Sequence, residues 1–186
     1  MVELLCVTAI LLILATLYWG STGTSRARQR QAACREHMAR VFMALTIYAN
    51  SQGGQFPNLP GATKASQPLS LLVPKFTVET DNFLCPAAGG APLAAGLPLT
   101  GQRIGYAFYM GRRASDGNEL LLTDAQTDDR PKLAGQPLFS TTGATPGNNH
   151  GKEGGNLLFG DGRAEWSAGP APRDTTCPAG VALVNP

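Results

Sequence analysis

Hydrophobic and polar positions divide the chain into three stretches. From Leu4 to Trp19 nothing is charged, and only Thr8 and Thr16 carry a hydroxyl in the body of the run. At about 1.5 Å per helical residue, Met1–Trp19 would reach roughly 28 Å, close to the thickness of a bilayer's hydrocarbon core. Tyr18 and Trp19 close the run with rings suited to a membrane–water boundary, so the pattern predicts a spanning helix. Glu3 stands at its mouth; it is either hydrated at the interface or paired, because a lone charge in hydrocarbon is costly. Gly20-Ser-Thr-Gly23 is predicted to interrupt the helix, since glycine weakens a helix by about 1 kcal/mol relative to alanine.

Helical periodicity then resumes. Cys34, Met38, Val41, Leu45 and Tyr48 step by four and three residues into one apolar stripe, with Arg26 and Arg30 on another edge. Asn50-Ser-Gln-Gly-Gly54 stops it. The two segments together predict a helix of about 50 residues and about 75 Å. Residues 53–100 are rich in Pro and Gly and predict an irregular loop with one short helix near Leu69–Val73. Strand patterns follow at Ile104–Met110, Glu119–Thr123, Asn156–Phe159, Ala164–Trp166 and, as an edge strand, Val181–Val184. Asp161-Gly162 between the third and fourth predicts a type I′ hairpin. The expected architecture is α+β: a long N-terminal helix (membrane half plus amphipathic half, 1–52) packed on a small antiparallel sheet in a loop-rich head (53–186).

Composition refines this picture in a few places. Gly and Pro number 22 and 14 of 186 residues and concentrate after residue 52, which favours a loop-rich β head over a helical one. Net charge is +2 and basic residues do not interleave with aromatic ones, so no nucleic-acid partner is expected. Arg26, Arg28, Arg30, Arg35 and Arg40 follow the apolar run and no Lys or Arg precedes it; read literally, that would leave the head in the cytoplasm. Cys6 lies in the apolar run and three cysteines lie beyond it, so at most one intrachain pair forms there. No Cys-x-x-Cys suggests structural zinc. Nucleophile elbow, Walker loop and zincin motifs are also missing, and His37 reads as a surface residue, so an enzyme is not expected. Asp124, His150 and Asp161 could converge at one end of the sheet and bind a divalent cation, Ca²⁺ suiting oxygen-rich Gly/Asp loops. Turn chemistry explains Asp124 and Asp161 equally well, and a backbone hydrogen bond explains His150.

Several short strings occur together in a telling order: Val2-Glu3-Leu4-Leu5; Ser25-Arg-Ala-Arg28; Cys34 followed fourteen residues on by Tyr48-Ala-Asn50; Phe56-Pro57; Phe83-Leu-Cys-Pro86; Leu120-Leu-Leu-Thr-Asp124; and Asn149-His150 through Asn156-Leu-Leu-Phe-Gly-Asp-Gly162. This set resembles type IV pilins and type II secretion pseudopilins, the major pseudopilin above all. The last block resembles a C-terminal His-x(9)-Asp-Gly signature, with ten residues here between His150 and Asp161. The resemblance implies a structural subunit of a pilus-like filament or secretion pseudopilus, assembled through its N-terminal helix. Glu3 would pair with a neighbouring subunit's N-terminal amine, Leu4 and Leu5 would pack in the filament core, and Gly20 would replace a helix-bending proline. It further implies a leader before Met1 with a basic segment and a Phe-Thr pair, a prepilin peptidase and an assembly platform as partners, and an inner-membrane location with the head outside the cytoplasm. Ca²⁺ in the C-terminal loops and a Cys34–Cys85 disulfide are implied likewise, with Cys85–Cys177 as the other pairing. The rival reading is a single-pass anchored extracytoplasmic protein that binds a ligand or Ca²⁺ and does not polymerise.

Overall fold

A computed structural model gives the architecture; it describes residues 1–20, 22–169 and 174–186, with backbone alone for residues 17–20 and 22–24. Helix α1 runs Val2–Gly20 and α2 Thr22–Ser51, followed by a single-turn α3 at Ser66–Leu69. Strands β1 (Tyr106–Met110), β2 (Leu120–Asp124), β3 (Gly154–Phe159), β4 (Ala164–Ala168) and β5 (Ala182–Val184) form one antiparallel sheet in the order β4-β3-β2-β1-β5. The terminal strand β5 returns to the free edge of β1, where the sequence expected an edge strand.

The membrane half of the expected fold is corrected. Among the described residues no helix is long and apolar enough to cross a membrane. Helix α1 spans 19 residues, Val2–Gly20, of which residues 2–16 have described side chains. It also carries Glu3 in its first turn. The single long helix of the expected α+β class therefore gives way to three α-helices with a five-stranded antiparallel sheet. A single-pass inner-membrane placement loses its support with it. The interruption expected at Gly20 adjoins Ser21, which lies outside the described residues.

Helix α2 lies on one face of the sheet because its apolar stripe has a matching surface to cover. Cys34, Met38, Val41 and Leu45 are buried there with Phe56, Leu72, Phe83, Phe108, Leu122 and Leu158. The opposite face is also covered: Leu138 and Phe139, from the long β2–β3 connection, pack on Ala107, Tyr109, Leu157 and Phe159. Burial on both faces explains why β1, β2 and β3 are buried at every position and why Glu119–Thr123 reads as an apolar run rather than an alternation. The β3–β4 hairpin forms as expected, but not through a type I′ turn. That turn needs positive φ at both central residues, and no described non-glycine residue has one; Gly162 alone does, at φ 89. Asp161 instead accepts a hydrogen bond from the Arg163 N–H at 2.9 Å, a local side-chain turn that leaves the left-handed position to glycine.

Candidate metal centre

The register of the sheet lays a polar row across its helix-covered face. Tyr106 stands directly opposite Asp124. Thr123 stands opposite Leu157, so Asn156 falls beside Asp124 on the next strand. Helix α2 passes over this row and presents Cys34. Cys85 arrives from the segment after the 3₁₀ turn Thr80–Phe83, held close by Gly105, where a Cβ would sit only 2.5 Å from the Cys85 amide nitrogen. His150 arrives from the turn just before β3.

Four ligand-type side chains thus converge from four distant segments. One donor atom from each of Cys34, Cys85, Asp124 and His150 lies within 4.8 Å of all the others, so the group could hold a metal ion. Their exposures are 0, 1, 1 and 9 % respectively. The Cys34 thiol donates to Asp124 Oδ1 at 3.2 Å; Cys85 Sγ lies 3.4 Å from His150 Nε2, which lies 3.3 Å from Asp124 Oδ2. Around them, the Asn156 backbone N–H (2.6 Å) and Nδ2 (3.0 Å) both donate to Asp124 Oδ2, and Asn149 Nδ2 donates to Oδ1 at 2.8 Å. The Tyr106 hydroxyl lies 3.5 Å from Cys34 Sγ and donates to the Leu84 carbonyl at 3.1 Å. The Trp166 ring meets the His150 ring edge-on, with centroids 5.2 Å apart.

Electrostatics follow from burial set against these contacts. Burial alone would raise the Asp124 carboxyl, yet His150 and the Asn156 and Asn149 donors hold it below the ordinary carboxylate range. Burial works against a charged imidazole, but Asp124 and Cys85 lift His150 to about 9. A hydrogen bond from Cys34 brings the Cys85 thiol down to about 7 against its burial, with His150 helping. The Cys34 thiol is pushed far up, first by burial and then by its role as donor.

A nucleophile–base–carboxylate triad is not what this geometry makes. In such a triad the nucleophile and the carboxylate engage opposite ring nitrogens of the histidine. Here Cys85 and Asp124 both approach Nε2, and the sulfur is buried from substrate.

The sequence expectations divide cleanly. Asp124 and His150 do come together. Asp161 does not join them: it sits in the hairpin beyond the far end of β3, about 20 Å of strand away, half-exposed and beside Arg163. Cys34 and Cys85 meet as free thiols, while Cys177 packs with the cluster on the opposite face of the sheet. His37, expected on the surface, is half-buried with Nδ1 2.9 Å from the Leu84 carbonyl, which orients the Cys85 segment. Glu3, Leu4 and Leu5 are exposed on α1, away from the centre. Asn149, Asn156, Tyr106 and Gly105 were not singled out as site residues in the sequence; the two asparagines lie inside the Asn149–Gly162 block, the one signal that pointed to them. No protein-family model, curated protein or solved structure matches the chain.

Proposed function

We propose that the chain is a self-assembling structural subunit of a type IV pilus-like filament or type II secretion pseudopilus, polymerised through its apolar N-terminal helix. One observation carries this reading. Val2, Leu4, Leu5, Val7 and Ile10–Leu14 are 53–74 % exposed along α1, a rod of aliphatic side chains that nothing in the head covers. Fully burying an aliphatic side chain is worth about 1.5–3 kcal/mol, so nine partly exposed ones supply an amount of the same order as the roughly 4–15 kcal/mol that association costs. Copies of the same helix are the natural cover, because a filament buries every copy's rod in the same way. The stripe of α2 on the sheet then leaves each head outside the bundle. Glu3, exposed in the first turn of α1, is the residue that would set register by pairing with a neighbour's amine.

The ion expected from the resemblance was Ca²⁺, and the donor set speaks against it. Calcium takes about six to eight oxygen ligands, whereas the converging atoms are two sulfurs, one nitrogen and one carboxylate. Photocrosslinking from Ile13 in the full chain tests the assembly. Ladders of dimers, trimers and higher rungs are expected, with Glu3→Ala losing the higher rungs. Monomer alone at every concentration would end the filament reading.

A further inference from the structure

We propose that Cys34, Cys85, Asp124 and His150 form a closed, four-ligand site for Zn²⁺ that ties helix α2 to the sheet. The site would exist whether or not the chain polymerises, since all four residues belong to one copy.

Donor chemistry selects the ion class. Thiolate, imidazole and carboxylate are the groups that bind zinc, and structural zinc takes four of them in a tetrahedron. All four donor atoms lie within 4.8 Å of one another, and three contact distances lie near the edges of that tetrahedron. With Zn–S of about 2.3 Å and Zn–N and Zn–O of about 2.0–2.2 Å, its edges are roughly 3.5 Å for S···N, 3.4 Å for N···O and 3.6 Å for S···O. The corresponding distances are 3.4 Å for Cys85 Sγ···His150 Nε2, 3.3 Å for His150 Nε2···Asp124 Oδ2 and 3.2 Å for Cys34 Sγ···Asp124 Oδ1. The two carboxylate contacts run to different oxygens of Asp124, so a dication at the centre would draw the other ligands onto one of them.

The surroundings are built for the same role. Metal-bound carboxylates are held by outer hydrogen bonds, and Asp124 receives three, from Asn149 and twice from Asn156. His150 is its one ionic partner among the described ion pairs. Two thiolates and a carboxylate with a neutral imidazole carry a formal charge of −3, and Zn²⁺ cancels most of it where no lysine or arginine forms a described ion pair with Asp124. The ligands come from α2, the Cys85 segment, β2 and the turn before β3, so one ion would link four segments distant in the sequence. A Cys34–Cys85 disulfide would consume two of the four ligands. Disulfide and zinc are therefore mutually exclusive states of this centre.

The test uses the purified full chain, stripped of metal and reduced, titrated separately with Zn²⁺, Co²⁺ and Ca²⁺. One Zn²⁺ per chain by native mass spectrometry is expected. Co²⁺ should give intense visible bands of tetrahedral coordination with a thiolate charge-transfer band in the near ultraviolet, bleached by Zn²⁺ and untouched by Ca²⁺. Cys85→Ser and His150→Ala should lose the ion, and Cys177→Ser should keep it. Should a ligand variant fail to fold, the wild-type Co²⁺ spectrum still decides. A spectrum without the thiolate band, displacement by Ca²⁺, or a chain isolated with Cys34 and Cys85 already disulfide-bonded would overturn the proposal. Crosslinking ladders from Ile13 are read independently, so loss of the zinc site and loss of the filament reading are distinguishable.

Discussion

Asp124→Ala is the sharpest probe of the head, because one carboxylate organises so many buried donors. Asp124 accepts from the Asn156 N–H and Nδ2, from Asn149 Nδ2 and from the Cys34 thiol, and it faces His150. Hydrogen bonds to a charged group are worth about 1.5–3 kcal/mol each, so the three amide bonds alone sum to roughly 5–9 kcal/mol before relaxation. They share one acceptor and are not additive, and breaking a buried ion pair by removing one partner costs about 3–5 kcal/mol. The expected loss is about 4–5 kcal/mol, comparable with the entire stability of many domains, about 5–15 kcal/mol. With an m-value of about 2 kcal/mol/M in urea, the midpoint should fall by roughly 2 M. Asp161→Ala is the internal control. Its carboxylate is 42 % exposed and paired with Arg163, and its loss should cost about 1 kcal/mol or less. Chelator-treated full chain, followed by circular dichroism through a urea titration, provides the measurement. Equal midpoints for the two variants would refute the claim that Asp124 is the hub and Asp161 a turn residue.

Two further outcomes follow from individual contacts. Gly105→Ala places a Cβ 2.5 Å from the Cys85 amide nitrogen, a backbone atom that cannot swing aside, so the Cys85 segment must shift; Zn²⁺ affinity should drop roughly 10–100-fold with every ligand still present, and an unchanged calorimetric titration would contradict the close packing. Asp128 is lowered to about 2, despite burial opposing it, by Lys132 and by the Arg130 N–H and side chain. A carboxylate depressed in the fold contributes stability that is complete above its ordinary pKa of 3.8 and lost as pH falls through about 2. Two pKa units would correspond to about 2.5 kcal/mol, and partial exposure of 29 % cuts this to about 1–2 kcal/mol. Wild type should therefore exceed Asp128→Asn by that amount in unfolding at about pH 6, with the gap mostly gone at the folded-state pKa of about 2; the same gap at both would exclude the ion pair as its source.

Local pattern was readable wherever one residue's neighbours in sequence decide its environment. The stripe Cys34, Met38, Val41 and Leu45 is buried as its spacing requires, and β1, β2 and β5 begin within two residues of the expected places. Pattern misled where a second property was decisive. At Asp161-Gly162 the dipeptide suggested a type I′ turn, but the Asp161 carboxylate binds Arg163 N–H and keeps its own φ negative. Along α1, apolar character without interruption was read as a membrane span, whereas among the described residues no helix is long and apolar enough to cross a membrane.

The centre escaped the sequence for a different reason. Zinc motifs are legible when ligands lie two to four residues apart on one turn or knuckle; here the gaps run from Cys34 to Cys85 to Asp124 to His150, and only the fold closes them. Asp124 and His150 lie together, as expected, because one ends β2 and the other precedes β3, neighbours in the sheet. Asp161 was added because it lay in the same block as His150, yet β3 lies between the two. Cys34 and Cys85 were joined as an expected disulfide; in the structure both are free thiols and lie beside Asp124 and His150. Nothing in residue spacing alone separates a disulfide from half of a metal site. The difference lies in Tyr106, Asp124 and Asn156 falling in one row across three strands, which places a hydrogen-bonded carboxylate where a disulfide would need only apolar packing. A buried carboxylate with three donors of its own is a costly neighbour for a disulfide and a fitting one for a cation.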